Sequence, residues 1–144
     1  METKTIPKTE KNSNDLDAIF EQLKKLLQKH AQGLELRTTT IGPTAIGTKR
    51  ALHLYGKKNV SILGRKAQRT YVSGIIMQKH FVGFYSMPIY SHPALRASIR
   101  SEKTKKMLKG KSCINVTNLD EDALADLERV LEEGIATYKK EGWI

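Results

Sequence analysis

Two stretches of helical periodicity lie at either end of this 144-residue chain, and the sequence between them has the pattern of β-strands. In the first stretch, apolar residues recur at three- and four-residue steps from Leu16 to Ala31, with charged residues on the opposite side. Residues 119–138 repeat this pattern, with acids in the first turn and lysines following the last apolar residue. Both helices need an apolar surface to cover, so they constrain the fold more than any other feature.

The central region breaks into short segments rich in β-branched, aromatic and aliphatic residues, separated by glycine and proline. The predicted strands are 34–39, 51–55, 60–63, 70–77, 81–85 and 111–116. Most connections between them are shorter than the dozen or so residues that a parallel crossover needs. The sequence therefore predicts an α+β fold, with two layers. One layer is an antiparallel sheet of five to six strands, and the long N- and C-terminal helices lie on one of its faces. A short basic helix capped by Ser101 and ending at Lys109 is also expected.

Length and composition indicate one domain. Residues 1–13 are polar, rich in lysine and aperiodic, so we expect a mobile tail followed by a single domain over residues 14–144. Cys113 is the only cysteine, which excludes an internal disulfide framework and a cysteine-based zinc site. No apolar run approaches the ~20 residues that span a bilayer, and the first residues lack the apolar core of a signal peptide. We expect a reduced cytoplasmic protein without membrane contact, as a monomer or a weak homodimer.

The charge of the chain is unevenly placed. The formal net charge is +10, but residues 1–117 carry 22 basic and 7 acidic side chains, whereas residues 118–144 carry 3 and 8. A basic excess can indicate a nucleic-acid partner, and it can equally be a solvated surface that favours solubility. Nucleic-acid binding through the basic surface is therefore one alternative function, although no helix-turn-helix or RNA-recognition signature is visible.

Motifs of catalysis are missing from the sequence. Residues 110–112, Gly-Lys-Ser, match the end of a phosphate-binding loop but lack its first glycine and the strand before it. The four histidines show no His-x-x-x-His spacing, and no serine elbow or dinucleotide fingerprint occurs. We therefore expect a binding domain rather than an enzyme.

The first candidate site combines aromatic rings with basic side chains. Aromatic residues are dense between Tyr71 and Tyr90, and rings beside lysines can form a small-ligand pocket or a stacking platform for nucleotides. The same rings can instead form the core of a sheet. We assign binding of a small ligand or a protein partner to Tyr71, Lys79, His80, Tyr85, Tyr90, Lys109 and Lys111.

The second candidate site lies on the last helix, where carboxylates occupy both flanks. Carboxylate oxygens are ligands for hard cations, but an open helix surface offers few that converge. Acids in the first turns of a helix also favour the helix dipole without any metal. The candidate metal ligands are Asp122, Asp126 and Glu133.

Four segments of the chain together resemble the YdhG-like domain family, a bacterial family of small domains of unknown function. They are Gly74–Tyr85, Met87–Tyr90, Leu108–Cys113 and Tyr138–Ile144, and the resemblance covers roughly residues 47–144. It implies a two-layer antiparallel sheet with flanking helices, similar to frataxin. Some relatives are described as frataxin-like intracellular iron chaperones, so the resemblance also implies iron binding as an alternative function, with iron as the candidate ion. Frataxins place their acidic ridge on the first helix and first strand, whereas here most carboxylates lie on the last helix.

Overall fold

The computed structural model of the chain describes residues 15–41 and 50–144. The predicted tail over residues 1–13 lies outside the described residues. The helices are α1 (Leu16–Lys29), α2 (Met87–Ser91), a 3-10 helix (Pro93–Ser98), α3 (Glu102–Met107) and α4 (Glu121–Glu141). The strands are β1 (Glu35–Arg37), β2 (Ala51–Val60), β3 (Gln68–Met77), β4 (Val82–Ser86), β5 (Leu108–Lys109) and β6 (Cys113–Val116). None of the helices in these two ranges combines the length and the apolar character needed to cross a membrane.

The six strands form one antiparallel sheet in the order β1-β2-β3-β4-β6-β5. The predictions of an α+β fold and of an antiparallel sheet with five to six strands are therefore confirmed. Hairpins join β2 to β3 and β3 to β4, and the crossover from β4 to β6 carries α2, the 3-10 helix, α3 and the edge strand β5.

Two predicted boundaries are wrong. Residues 51–55 and 60–63 were expected as separate strands divided at Gly56, but β2 runs without a break to Val60. Gly56 lies inside the strand, and glycine is needed there because Ile144 packs where a side chain would be, at 2.6 Å from the position of a Cβ. The short basic helix ends at Met107 rather than Lys109, since Leu108 and Lys109 pair with β6 as an edge strand.

One buried cluster joins the long helices to the sheet. The apolar sides of α1 and α4 contribute to it through residues such as Leu23 and Leu127, which are fully buried. The strands contribute alternate residues, for example Ile75, Phe84 and Ile114, which are register partners across β3, β4 and β6. Successive side chains of a strand point to opposite faces. The residues between these apolar positions therefore point to the other face of the sheet, which we call the outer face.

Candidate functional site

One row of residues crosses all six strands on the outer face. Register pairs connect each member to the next, from β1 through β2, β3, β4 and β6 to β5. The members, in that order, are Arg37, His53, Gly74, Tyr85, Cys113 and Lys109. We call this set the outer row. Apart from its glycine, every member has a polar or ionisable side chain, whereas one neighbouring row on the other face, which includes Ile75, Phe84 and Ile114, is apolar.

Two glycines let tyrosine rings lie close to the sheet. The Tyr71 hydroxyl occupies the place that a Cβ on Gly74 would take, and a Cβ on Gly83 would lie 2.9 Å from the Tyr85 ring. Both glycines are buried beneath these rings. A larger residue at either position would push the ring away from the strand, so the glycines hold the aromatic surface flat against the backbone.

A buried histidine and two tyrosines form the centre of this surface. His53 Nδ1 lies 2.9 Å from the Tyr71 hydroxyl, and the Tyr55 ring meets the Tyr71 ring edge-on with centroids 5.2 Å apart. His53 is 2% exposed. Burial lowers the pKa of His53 and raises the pKa of Tyr71, so both groups are held neutral at neutral pH. The pair is therefore a neutral, hydrogen-bonded polar group beneath the surface of the outer face.

Tyr85 and Cys113 form the next part of the surface, and both are half-buried. The Cys113 thiol donates to Asn115 Oδ1 at 3.0 Å and hydrogen-bonds to the Tyr85 hydroxyl. Burial raises the pKa of the Cys113 thiol and that of Tyr85. The thiol is therefore protonated near neutral pH and is a poor nucleophile, and Tyr85 contributes a ring and a neutral hydroxyl.

The charge on this face is positive. Glu35 is the one carboxylate on the described strands, and the guanidinium groups of Arg69 and Arg37 both bind it. These hydrogen bonds hold the pKa of Glu35 below its ordinary value. Lys109 is exposed at the other end of the outer row, and no carboxylate of the described residues pairs with it. An anion approaching this end meets an unpaired cation.

The predicted ligand residues fall into two groups. Tyr71, Tyr85 and Lys109 come together on the outer face, and Lys111 lies in the turn between β5 and β6 at the same end of the sheet. The remaining three do not join them. Lys79 and His80 occupy the turn between β3 and β4, at the opposite end of β4, and Tyr90 is 55% exposed on α2.

Sequence reasoning missed His53, Tyr55 and Asn115 as members of the site. The alternation of residues 51–55 already placed His53 and Tyr55 on one strand face. What the sequence did not show was the pairing of β2 with β3, which brings them against Tyr71. Two grooves of about 390 and 300 Å³ lie beside α1, and none of the predicted ligand residues lines either of them.

The predicted metal ligands on α4 are separate from one another. Asp126 is 1% exposed and accepts from the amides of Arg100 and Ser101 at 3.0 and 3.1 Å, as well as from the side chains of Ser101 and Arg129. Burial alone would raise the pKa of Asp126, but the hydrogen bonds from Ser101 and Arg100 outweigh it and hold that pKa below its ordinary value. Asp126 therefore fixes the connection before α3 and has no free oxygen for an ion.

Glu133 and Asp122 do not complete a metal site with Asp126. Glu133 accepts a hydrogen bond from Ser98 Oγ at 2.5 Å, and Asp122 is exposed on the first turn of α4. The structure thus does not bring together the three residues that the sequence suggested as a metal site.

The one group of potential metal ligands that converges in the described residues links α1 to α4. It consists of His30, Glu128 and Glu132, whose ligand atoms lie within 4.8 Å of one another. His30 Nε2 and Lys29 Nζ both contact the same oxygen of Glu128 at 2.7 Å. The lysine already supplies the positive charge, so this cluster works as an ion-paired link between the two helices.

Comparison with protein-family models, with curated proteins and with solved structures finds no match for this chain. The function of the chain therefore has to be argued from the chemistry of its own residues.

Replacing Asp126 tests its structural role. We expect Asp126→Ala to lower the free energy of unfolding by about 3–5 kcal/mol, because it leaves two backbone amides and Arg129 without their buried partner. Urea denaturation measures the change, with Asp122→Ala as the matched exposed control, expected within about 0.5 kcal/mol of the unmodified protein. Added ferrous iron should leave both values unchanged. Equal stability of the two variants would contradict this role.

The pH dependence of stability tests the neutral state of His53. Because its pKa is lowered in the folded state, the unfolded chain binds the proton first as the pH falls below about 6.5. The stabilisation is thus complete above that pH and is lost on acidification, by at most about 1.4 kcal/mol per pH unit. We expect the free energy of unfolding, measured in urea between pH 7.5 and 5, to fall less steeply with pH for His53→Asn than for the exposed control His80→Asn. Identical pH profiles for the two variants would show that His53 is charged in the folded protein.

Proposed function

We propose that the chain is a non-enzymatic binding domain whose outer face holds a ligand with a flat aromatic ring and an anionic group, the chemistry of a nucleotide. The observation that carries this proposal is the outer row itself, in which a half-exposed tyrosine lies between a neutral His–Tyr pair and an unpaired lysine. Free nucleotides and the exposed nucleotides of a single strand share this chemistry, and comparing a mononucleotide with an oligonucleotide distinguishes these two ligands.

Stacking on Tyr85 is the first part of the proposed binding mode. Its ring lies against Gly83, with one side toward the sheet and the ring half-exposed. Aromatic side chains laid on an open sheet are favourable platforms for bases, each stack contributing about 1–3 kcal/mol. The side chains of Cys113 and Gln78 interact with the Tyr85 hydroxyl.

Attraction between a lysine and the anionic group of the ligand is the second part of the proposed binding mode. Lys109 is the register partner of Cys113 and lies two strands beyond Tyr85, a distance of about 10 Å across the sheet, and Lys111 follows in the adjacent turn. An anionic group attached to a ring on Tyr85 can therefore reach a lysine while the ring remains stacked. Cys113, which lies between the two positions, is neutral and donates its thiol proton to Asn115 Oδ1, so no negative charge separates the ring from the lysine.

The proposed mode also requires an accessible face. Both long helices contribute to the cluster formed by the apolar strand residues, which supports the inference that they cover the opposite face of the sheet. This two-layer arrangement also agrees with the fold implied by the resemblance to YdhG-like domains, a family membership that we likewise propose. It leaves Tyr85, Cys113 and Asn115 only partly buried.

Titration with AMP tests the proposal. We expect AMP to raise the thermal midpoint of the unmodified protein, and Tyr85→Leu to weaken AMP binding about tenfold through loss of stacking. Lys109→Ala should weaken the binding of both AMP and inorganic phosphate, whereas Tyr85→Leu should leave the binding of phosphate unchanged. Isothermal titration calorimetry gives the dissociation constants.

Lys106→Ala is the matched control, because it removes an exposed lysine on α3 away from the outer face. A ten-nucleotide oligo(dA) run in parallel separates the two ligand sources, since a free-nucleotide site gains nothing from the longer strand. No binding of AMP or of the oligonucleotide, or an equal loss in Lys106→Ala, would refute the proposal.

A further inference from the structure

A two-stranded ribbon projects from the sheet at the β2–β3 connection. Beyond Tyr55 and Tyr71, β2 and β3 pair only with each other among the described strands, through Asn59 with Arg69 and Val60 with Gln68. We call residues 57–68 the β2–β3 arm. Ten of these twelve residues are exposed, so the arm is not part of the protein core.

The arm carries charge of one sign. Lys57 and Lys58 lie on its first strand, and Arg65 and Lys66 follow its turn, all four exposed. The sequence has no acidic residue from position 36 to position 101, a stretch with 11 basic residues. No carboxylate among the described residues neutralises these four side chains.

The tip of the arm is apolar and strained. Leu63 is 92% exposed and is the one non-glycine residue of the described ranges with a positive φ, at +54°. An L-residue in the left-handed region is destabilised by contact between its Cβ and the backbone. Leu63 is not buried, so neither its exposure nor its conformation stabilises the isolated fold.

The base of the arm is held in a fixed direction. The register shift between Tyr55 and Asn59 places three residues opposite Thr70, a bulge that bends the ribbon. The Arg69 guanidinium donates to the carbonyl of Gly56 and to the carboxylate of Glu35 on β1. These contacts connect the base of the arm to the sheet and limit movement of the arm relative to the sheet.

We propose that the β2–β3 arm binds duplex DNA, lying in the major groove with Leu63 at its leading end. The major groove, about 12 Å wide, admits a two-stranded β-ribbon. From Lys57 to Leu63 the arm extends about 20 Å, or about six base pairs along the groove. Its basic side chains meet phosphates on both sides, and Leu63 lies against the base edges in the groove, where an apolar side chain can contact a thymine methyl group.

Duplex DNA fits the arm better than a lipid surface does. The four charges are divided between the base of the arm, where Lys57 and Lys58 lie, and the segment after its turn, where Arg65 and Lys66 lie. The highly exposed apolar part of the arm is a single leucine. One side chain of that size gives less membrane affinity than a myristoyl chain, which by itself is marginal. The arm shares no residue with the outer row, so this inference is independent of the proposed function.

The test measures fluorescence anisotropy of a labelled 20-base-pair duplex with the full chain. We expect the slope of log affinity against log salt to be about −3.6, the value for four phosphate contacts. The variant with Lys57, Lys58, Arg65 and Lys66 replaced by Gln should lose this slope and nearly all binding at 50 mM salt. The matched control replaces the same number of exposed helical lysines by Gln, namely Lys25, Lys106, Lys139 and Lys140.

The tip has its own prediction within this experiment. Leu63→Asn accepts the left-handed backbone more readily and keeps the charge, so the salt slope should remain while affinity falls about tenfold. The variant with four Gln substitutions in the arm should bind AMP with the same affinity as the unmodified protein. This result would show that the arm and the outer face bind their ligands independently.

Three results would overturn the inference. They are absence of duplex binding at 50 mM salt, an equal loss in the helical control, and stronger binding to a 20-nucleotide single strand than to the duplex. Arm-dependent capture by vesicles containing phosphatidylserine, without duplex binding, would assign the arm to a membrane surface instead.

Discussion

Burial of one face of the sheet is the constraint on which the rest of this structure depends. Leu54, Ile75, Phe84 and Ile114 join the cluster formed with the long helices, and strand alternation directs the side chains between them to the other face. Tyr71 reaches the same face through the register shift between Leu54 and Tyr55. A shift of register by one residue would exchange the two sets, at the cost of burying polar groups without partners. The same hydrophobic burial that stabilises the fold therefore also aligns histidine, tyrosine, cysteine and lysine in a single row across six strands. The candidate site is a geometric consequence of the core.

Much of the fold was visible in the sequence because helical and strand periodicities differ. The two long helices, the antiparallel sheet and five of its six strands followed from residue spacing and from short connections, whereas residues 60–63 are not a separate strand and the edge strand β5 was expected to be helical. What spacing could not show is which strands are neighbours, and this determined the errors at the site. Lys79 and Tyr85 are close in sequence, but the direction of β4 places the lysine at one end of the strand and the tyrosine near the other. His53 is distant in sequence from Tyr71, yet strand pairing brings them within hydrogen-bonding distance.

Charge was the least predictable property, because the role of a carboxylate depends on its surroundings. Asp126 looked like one of several acids on an exposed helix, but it is buried and receives two backbone amides. Glu128 likewise joins Lys29 and His30 across the helix pair. These acids are used in holding the fold together, and what remains at the β2–β3 arm and the Lys109 end of the outer face is unpaired positive charge. These two parts of the described surface are both suited to anionic partners but differ in size and shape.

The most direct test of binding on the outer face is a ¹H–¹⁵N correlation spectrum of the full chain titrated with AMP. A ring stacked on Tyr85 with its phosphate at Lys109 shifts nearby backbone amides through ring current and charge. The expected result is a set of concentration-dependent shifts centred on Gly83, Tyr85 and Cys113, with the amides of α1 and α4 unchanged. Shifts centred on the helices, or an unchanged spectrum at millimolar AMP, would contradict the assignment of this face as the ligand-binding surface.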